Sequence, residues 1–383
     1  MSVDLHIPPN CLLIKNIVRD FVKGELEPIA DMVDEADHIP EEVIAKMKAL
    51  GFFGMTIPEE YGGAGLSLLE YCFAIEELVQ AGLTFRSLIS INNGLVARAL
   101  LLAGTEEQKK TYLPAMAKGK KVAAFALTEP DAGSDAANIK TTATHEREYF
   151  VLNGTKHFIT NGPVADVALV VAVTDESNRA GGGITTFLVD KGTPGFSVGV
   201  THKMMGLRGE PVGELIFEDC LVPVKNVLGE LGKGFSLIMK CLDEGRATIS
   251  IAAIGIAEKL LEISIDYSKK RLQFGKPICE FEAIQLSLAN MATEIYASKL
   301  MLYDTIWKLE EGQEVTKEAA MLKLYASEMV NRVADRALQI QGGYGYMKDN
   351  FVERAYRDVR VLKIVEGTSD IQRLVIAKRI LNL

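Results

Sequence analysis

The sequence predicts an α+β chain in three parts: an N-terminal helical domain (residues 1–120), a middle antiparallel, barrel-like β domain (121–230) and a C-terminal helical bundle (231–383). Three observations carry this. Apolar residues recur at helical spacing in the first third, short strand-like runs between turn signals fill the middle, and long helical patterns with wide apolar faces return in the last third. A chain of 383 residues is also too long for one ordinary core.

Taken in order, Cys11 to Asp37 sets Leu13, Ile17, Val18, Phe21, Ile29, Met32 and Val33 at helical spacing. Pro40, Glu41 and Glu42 open the next helix, with proline and acids in its first turn, and Gly51 ends it. Ile57 to Gly65 is a turn-rich loop. Helices resume over Ser67–Gln80, Arg86–Ala103 and Glu106–Ala117. Val122–Leu127, Tyr149–Leu152, His157–Thr160, Val167–Val173, Thr185–Val189 and Gly213–Phe217 then read as short strands. Asn153-Gly154 reads as a hairpin turn between two of them, and Gly181-Gly182-Gly183 as a flexible loop. The last third reads as helices over Phe235–Lys269, Phe281–Glu311, Thr316–Gln341, a short piece around Val352, and Ser369–Leu381. No βαβ alternation, internal repeat or low-complexity segment is present.

Composition excludes several classes. A net charge of −9 argues against a phosphate-backbone binder, so nucleic acid is not an expected partner. The five scattered cysteines form no C-x-x-C pair, which points to free thiols in a reducing compartment. The five histidines show no ligand spacing, and no metal is expected. Met1 to Asn10 lacks a signal-peptide core, and no run approaches the ~18 apolar residues of a membrane span. The expected location is cytoplasmic.

No G-x-G-x-x-G follows a strand, so a nucleotide cofactor would need another cradle than a Rossmann turn. The cluster Gln341-Gly342-Gly343-Tyr344-Gly345 ends a helix, and by itself it reads as a C-cap. Three segments carry more information: Phe125-Ala126-Leu127-Thr128-Glu129-Pro130-Asp131-Ala132-Gly133-Ser134-Asp135, Asn153 to Gly162, and Val365-Glu366-Gly367-Thr368-Ser369-Asp370-Ile371-Gln372-Arg373. Each alone could be a turn or a cap. In this order and spacing, with Arg271-Leu272-Gln273-Phe274-Gly275 and Tyr61-Gly62-Gly63, they closely resemble the acyl-CoA dehydrogenase family over nearly the whole chain.

The resemblance implies a C-terminal four-helix domain, a homotetramer, non-covalent FAD, and electron-transferring flavoprotein as acceptor. Phe125, Leu127, Thr128, Ser134, Phe158 and Thr160 match positions around the flavin ring, Phe158 standing where the family often has Trp. Arg271 and Phe274 match positions that hold the diphosphate and adenine side from a neighbouring subunit, and Gln339 and Gly343 contact the same dinucleotide. Thr368 and Asp370 match cofactor contacts, Asp370 being shorter than the usual residue. These types suit the chemistry: guanidinium and backbone N–H groups pair with a diphosphate, and hydroxyl donors stabilise a reduced flavin ring. Any single threonine could equally be an ordinary strand residue.

Glu366 matches the base that removes the α-proton of an acyl thioester. Such a base must be a carboxylate of raised pKa in an apolar pocket, and Ile364-Val365 and Gly367 around Glu366 suit one. The resemblance adds that the backbone N–H of the base residue and a ribityl hydroxyl hold the thioester oxygen, an oxyanion-type arrangement. The bland alternative is an acid near the N-terminus of the helix at Ser369. Some family members carry the base on an earlier helix, where this chain has Gly245 before Arg246; Asp243 and Arg246 match substrate-side positions there, as does Ser134 elsewhere.

Leu83-Thr84-Phe85-Arg86-Ser87 bears on the acyl group. Thr84 reads as an N-cap, which sets Arg86 in a first turn where a helix dipole disfavours a cation. A solvated arginine is one explanation. The other is resemblance: glutaryl-CoA dehydrogenases carry aromatic-Arg-Ser here, and the arginine binds the distal carboxylate. Those enzymes normally also decarboxylate, with Tyr before the base and an acid seven residues before the arginine. This chain has Val365 and Val79 instead. Valine neither donates nor accepts a hydrogen bond, so protonation of the dienolate left by CO2 loss lacks its usual partners. Arg86, Ser87, Val365 and Val79 therefore imply a non-decarboxylating glutaryl-CoA dehydrogenase. The alternatives are a decarboxylating one, a short-chain or branched-chain acyl-CoA dehydrogenase, and a non-catalytic flavoprotein on the same fold, against which an intact Glu366 argues.

Overall fold

The computed structural model describes residues 8–348 and 350–382. Twelve α-helices among the described residues flank one eight-stranded sheet. The N-terminal part contains α1 (Pro9–Phe21), α2 (Ala30–Ala36), α3 (Glu41–Ala49), α4 (Leu68–Leu78), α5 (Leu83–Ile91), α6 (Ala97–Ala103) and α7 (Glu106–Ala117). The predicted helix over Cys11–Asp37 is broken by a π turn at Val22–Leu26 and a 3-10 turn at Glu27–Ile29. Pro28 in that second turn has no N–H to continue the ladder. Helix α4 starts at a capping box of Ser67 and Glu70, and α7 at one of Thr105 and Gln108.

The sheet strands are β1 (Ala123–Ala126), β2 (Thr142–Glu146), β3 (Tyr149–Thr160), β4 (Val167–Val173), β5 (Ile184–Asp190), β6 (Phe196–Thr201), β7 (Val212–Pro223) and β8 (Val227–Leu228). They run in the order β6-β7-β3-β2-β4-β5-β8, with β1 beside β4. Most pairs are antiparallel, as predicted, but β4 pairs in parallel with β1 and, at one position, with β2. The expected hairpin at Asn153-Gly154 is not there: β3 runs straight through it, with a register shift between Leu152 and Gly154. A Cβ on Gly154 would lie 2.7 Å from Thr141 Cα, so the glycine serves close strand approach rather than a turn. The real hairpin joins β2 to β3, with Arg147 at φ 55°. Strands β2, β6 and β8 of the sheet were not predicted.

Strand β4 explains why the sheet is covered on both sides. Val167 and Leu169 pack with Leu100, Leu113 and Leu237 of the helices. Ala168 and Val170, one residue along, pack with Phe150, Phe187 and Phe217 inside the sheet. The C-terminal bundle is α8 (Gly234–Lys270), α9 (Glu282–Glu310), α10 (Thr316–Gln341) and α12 (Ser369–Leu381), with α11 (Phe351–Val359) packed on α10. Helix α8 also packs on α4: Gly255 of α8 leaves room for Val79, whose Cγ2 lies 2.6 Å from where a Cβ would stand. A short antiparallel pair, β9 (Leu272–Gln273) and β10 (Lys276–Pro277), follows α8. No helix among the described residues is long and apolar enough to cross a membrane.

Candidate active site

A sharp turn between Val365 and α12 carries Glu366. Its backbone is left-handed, φ 54°, and Gly367 follows at φ 91°. A non-glycine residue in that region stores about 1–3 kcal/mol and needs outside support. The support comes from two buried side chains. Gln372 Nε2 donates to the carbonyls of Glu366 (2.9 Å) and Gly367 (3.0 Å), and Lys323 Nζ donates to that of Gly367 (2.7 Å). Thr368 caps α12 by accepting from Ile371 N.

The Glu366 residue is half-buried, but its Oε2 is shut off from solvent and has no hydrogen-bond partner among the described residues. Burial raises its pKa; Arg86, Lys323 and Arg246 oppose that rise. Gly245 faces it directly: a Cβ there would come within 2.7 Å of Oε2. The position where other sequences carry the base is thus the space this carboxylate occupies.

Arg86 lies on α5 beside this turn. The helix begins at Leu83 after Gly82 (φ 145°), so Thr84 is not the N-cap that the sequence led us to expect. Its hydroxyl instead donates to Arg208 O at 2.9 Å, and Arg86 is the fourth residue of the helix. Arg86 is 7% exposed, makes one hydrogen bond (to Thr248 Oγ1, 3.3 Å), and has an unpartnered Nε. No carboxylate lies within ion-pair distance of it among the described residues. Thr160 donates to buried Glu210 at 2.9 Å, and the Ser87 hydroxyl donates to Leu83 O at 3.4 Å, while Glu210 Oε2 and Tyr71 OH have no partner among the described residues. Burial raises the Glu210 pKa.

Asp243 is tied to Arg246 (2.5 Å) and Thr316 (2.6 Å), and the Arg246 Nε is also unpartnered. Val365 is half-buried against the main core, next to Glu366. Val79 is fully buried against Gly255 of α8. Sequence reasoning missed Glu210 and Lys323, because each is placed by tertiary packing and belongs to no local pattern; Gln372 stands within the Val365–Arg373 segment, which by itself assigns it no role.

The residues matched to the flavin ring gather at the ends of β1 and β3. His157 N donates to Thr128 O at 2.8 Å, which joins the two segments. Beneath them, Lys156 donates to Leu127 O (3.0 Å) and pairs with Glu129 (2.7 Å). Glu129 also accepts from Lys140 N, Thr141 N and Thr141 Oγ1. Phe158 is left-handed (φ 56°) and 62% exposed, so its ring is free to cover a flat partner. Phe125 and Thr128 are half-buried, Leu127 is buried, and Ser134 is exposed in the loop after β1. His157, His202 and Glu214, which no spacing in the sequence connected, come within 4.8 Å of one another beside Phe158. Glu214 accepts from Val200 N at 3.1 Å and lies 2.9 Å from His157 Nδ1, so the three read as a local polar cluster.

The residues matched to the other end of the dinucleotide lie apart, around a groove of about 550 Å³ between α8 and the end of α10. Arg271 and Gly343 line it, the guanidinium lying 5.6 Å from the Tyr344 ring. Gly342 (φ 58°) and Gly343 have open space where a Cβ would stand, so a ligand could approach their backbone. Gln339 is exposed, and Phe274 is 92% exposed. Asp370 is exposed and pairs with Arg373 at 2.9 Å. An aromatic face with hydroxyls at one place and a cation with bare backbone at another fit the two ends of FAD.

A buried, unpaired carboxylate, an exposed aromatic face at the ends of β1 and β3 and a helix–sheet–helix frame fit a flavin-dependent dehydrogenase of acyl thioesters. The chain belongs to the acyl-CoA dehydrogenase family: the N-terminal domain model matches residues 9–120, the middle domain 124–220 and the C-terminal domain 232–381. It is an FAD-dependent oxidoreductase. It is 46% identical to a 3-(aryl)acrylate reductase of Clostridium sporogenes, over 97% of this chain and 98% of the other. It is 44% identical to the caffeyl-CoA reductase-Etf complex subunit CarC of Acetobacterium woodii, over 97% and 98%. Among solved structures, butyryl-CoA dehydrogenase of Megasphaera elsdenii superposes with a TM-score of 0.93 at 38% identity, covering 99% of this chain and 100% of that one. A glutaryl-coenzyme A dehydrogenase in complex with glutaryl-CoA gives 0.94 at 33%, covering 99% and 97%. Overall identity therefore relates the chain to acrylate-type reductases and short-chain dehydrogenases and does not single out glutaryl-CoA enzymes.

Proposed function

We propose that this enzyme oxidises glutaryl-CoA to glutaconyl-CoA and leaves the distal carboxylate in place. Arg86 carries the reading. A buried guanidinium with one long hydrogen bond and an orphaned Nε costs several kcal/mol until an anion completes it. The second carboxylate of a dicarboxylic acyl chain is such an anion, and a guanidinium meets it with parallel hydrogen bonds. Ser87, beside Arg86, adds a hydroxyl.

Glu366 takes the α-proton. Its burial gives it the proton affinity that a weakly acidic thioester α-carbon requires. The N–H groups of Glu366 and Gly367 bond to no described residue, so they are available to the thioester oxygen as negative charge develops on it. FAD, when bound, accepts the β-hydride. Phe125, Leu127, Thr128, Ser134, Phe158 and Thr160 would hold its ring side. Arg271, Phe274, Gln339 and Gly343 would hold the diphosphate and adenine side from another copy in a homotetramer, with Thr368 and Asp370 near the base. Full exposure of Phe274 supports a partner from outside the chain. Asp243 and Arg246 would orient the acyl-CoA. Electron-transferring flavoprotein as acceptor is supported by the Etf-complex relative.

Retention of CO2 rests on Val365 and Val79. Val365 adjoins the base and has no donor for the dienolate. Val79 packs on Gly255, so its part is to keep a carboxylate out of that wall of the core.

A second reading is favoured by the relatives named as acrylate and caffeyl-CoA reductases: a neutral acyl group, handled by the same base in the reductive direction. Arg86→Gln separates the two. Glutaryl-CoA turnover should fall far more than butyryl-CoA turnover; an equal fall would overturn the carboxylate role.

A further inference from the structure

The turn that carries Glu366 is held from two directions. Gln372, 0% exposed, reaches back from the first turn of α12 to two successive carbonyls. Lys323, 1% exposed, reaches the second of those carbonyls from α10. Fully buried lysines are rare unless paired with an anion. Here no carboxylate is within ion-pair distance of Lys323 among the described residues, and its hydrogen bond goes to the Gly367 carbonyl. A structural filler at this site would be Leu or Met, without the desolvation cost of an ammonium.

We propose that Lys323 and Gln372 are positioning residues that clamp the Glu366-Gly367 carbonyls, fixing the left-handed base turn and leaving its two N–H groups free for the thioester. This rests on the reading of Glu366 as the base. The clamp removes the carbonyls as competing partners and prevents the strained turn from relaxing, which would swing the carboxylate away from the α-carbon. The Lys323 ammonium also favours the ionised carboxylate over the neutral acid.

The test uses the FAD-loaded enzyme and a 3-thia-acyl-CoA, whose acidic α-carbon is deprotonated in the site and then gives a charge-transfer band with oxidised flavin. Lys323→Met should retain flavin, lower kcat about 100-fold with KM nearly unchanged, and move the pH midpoint of the band upward. Lys323→Arg should recover much of both. Gln372→Leu should act in the same direction, and it decides the matter if Lys323→Met does not fold. Unchanged kcat and an unchanged midpoint in the folded variants would overturn the proposal. Glu366→Gln is run in parallel: a band that persists in it defeats the base assignment itself. A band lost there but untouched by the clamp variants defeats the clamp alone.

Discussion

Two buried polar clusters, one under the loop after β1 and one around the Glu366 turn, are built differently. Under the flavin-side loop, Glu129 and Lys156 pair at 2.7 Å, and backbone N–H groups, Thr141 and the Leu127 carbonyl complete them. Around the base turn, Arg86 Nε, Arg246 Nε, Glu366 Oε2, Glu210 Oε2 and Tyr71 OH are all buried and unpartnered. A buried polar network is worth its desolvation only when it is complete. The complete cluster is therefore expected to act as scaffold, and the incomplete one as the proposed ligand site. Stability and activity should respond to mutation on opposite sides of that line.

The largest effect should follow loss of the base. Glu366→Gln should lower kcat by about 10⁴-fold while the variant still binds FAD and folds, measured by turnover and flavin absorbance. On the scaffold side, Lys156→Met strands a buried Glu129 charge and should cost about 3–5 kcal/mol of stability in denaturant unfolding. Arg86→Gln should do the reverse. It should cost about 2–5 kcal/mol of transition-state stabilisation toward glutaryl-CoA but leave the melting temperature unchanged or raised, because no completed pair is broken. A clear fall in melting temperature would place Arg86 with the scaffold. Gly245→Ala brings a methyl against Glu366 Oε2 and should cost about 1–3 kcal/mol in kcat/KM with little loss of fold.

The smallest effect is on pH. A base at Glu366, as proposed, would work ionised, so kcat/KM should rise with pH through a pKa that burial holds above the ordinary carboxylate range. Burial pushes Lys323 down to about 8, against Glu366 and Glu328, which raise it, and with Arg246, which lowers it further. The charge that supports the base turn is therefore lost as pH passes about 8, and activity should fall there. A pH–rate profile of wild type and Lys323→Arg checks this: only the alkaline limb should move, and upward.

Much of the frame was legible. Glu106–Ala117 and Ser369–Leu381 start at side-chain N-caps, Thr316–Gln341 ends at Gly342, all three carry helical periodicity, and they stand where the sequence set them. Asn153-Gly154 misled because a turn dipeptide and a bulge glycine look alike until the neighbouring strand, with Thr141, is in place. Thr84 misled because its hydroxyl found a carbonyl across the fold, at Arg208. Glu366 and Arg86 were legible as motif residues, and each keeps a buried side-chain atom without a partner among the described residues. Lys323 and Glu210 were not, since a buried charge has no local signature until the group it faces is known, and Gln372 was legible only as part of its segment.

The division between scaffold and site comes down to what Arg86 awaits, and product analysis reads that directly. Purified FAD-loaded enzyme is given glutaryl-CoA or butyryl-CoA with an artificial electron acceptor, and the acyl products are identified. The account predicts faster oxidation of glutaryl-CoA, with glutaconyl-CoA accumulating. Crotonyl-CoA as the main product from glutaryl-CoA, or a clear preference for butyryl-CoA, would contradict it.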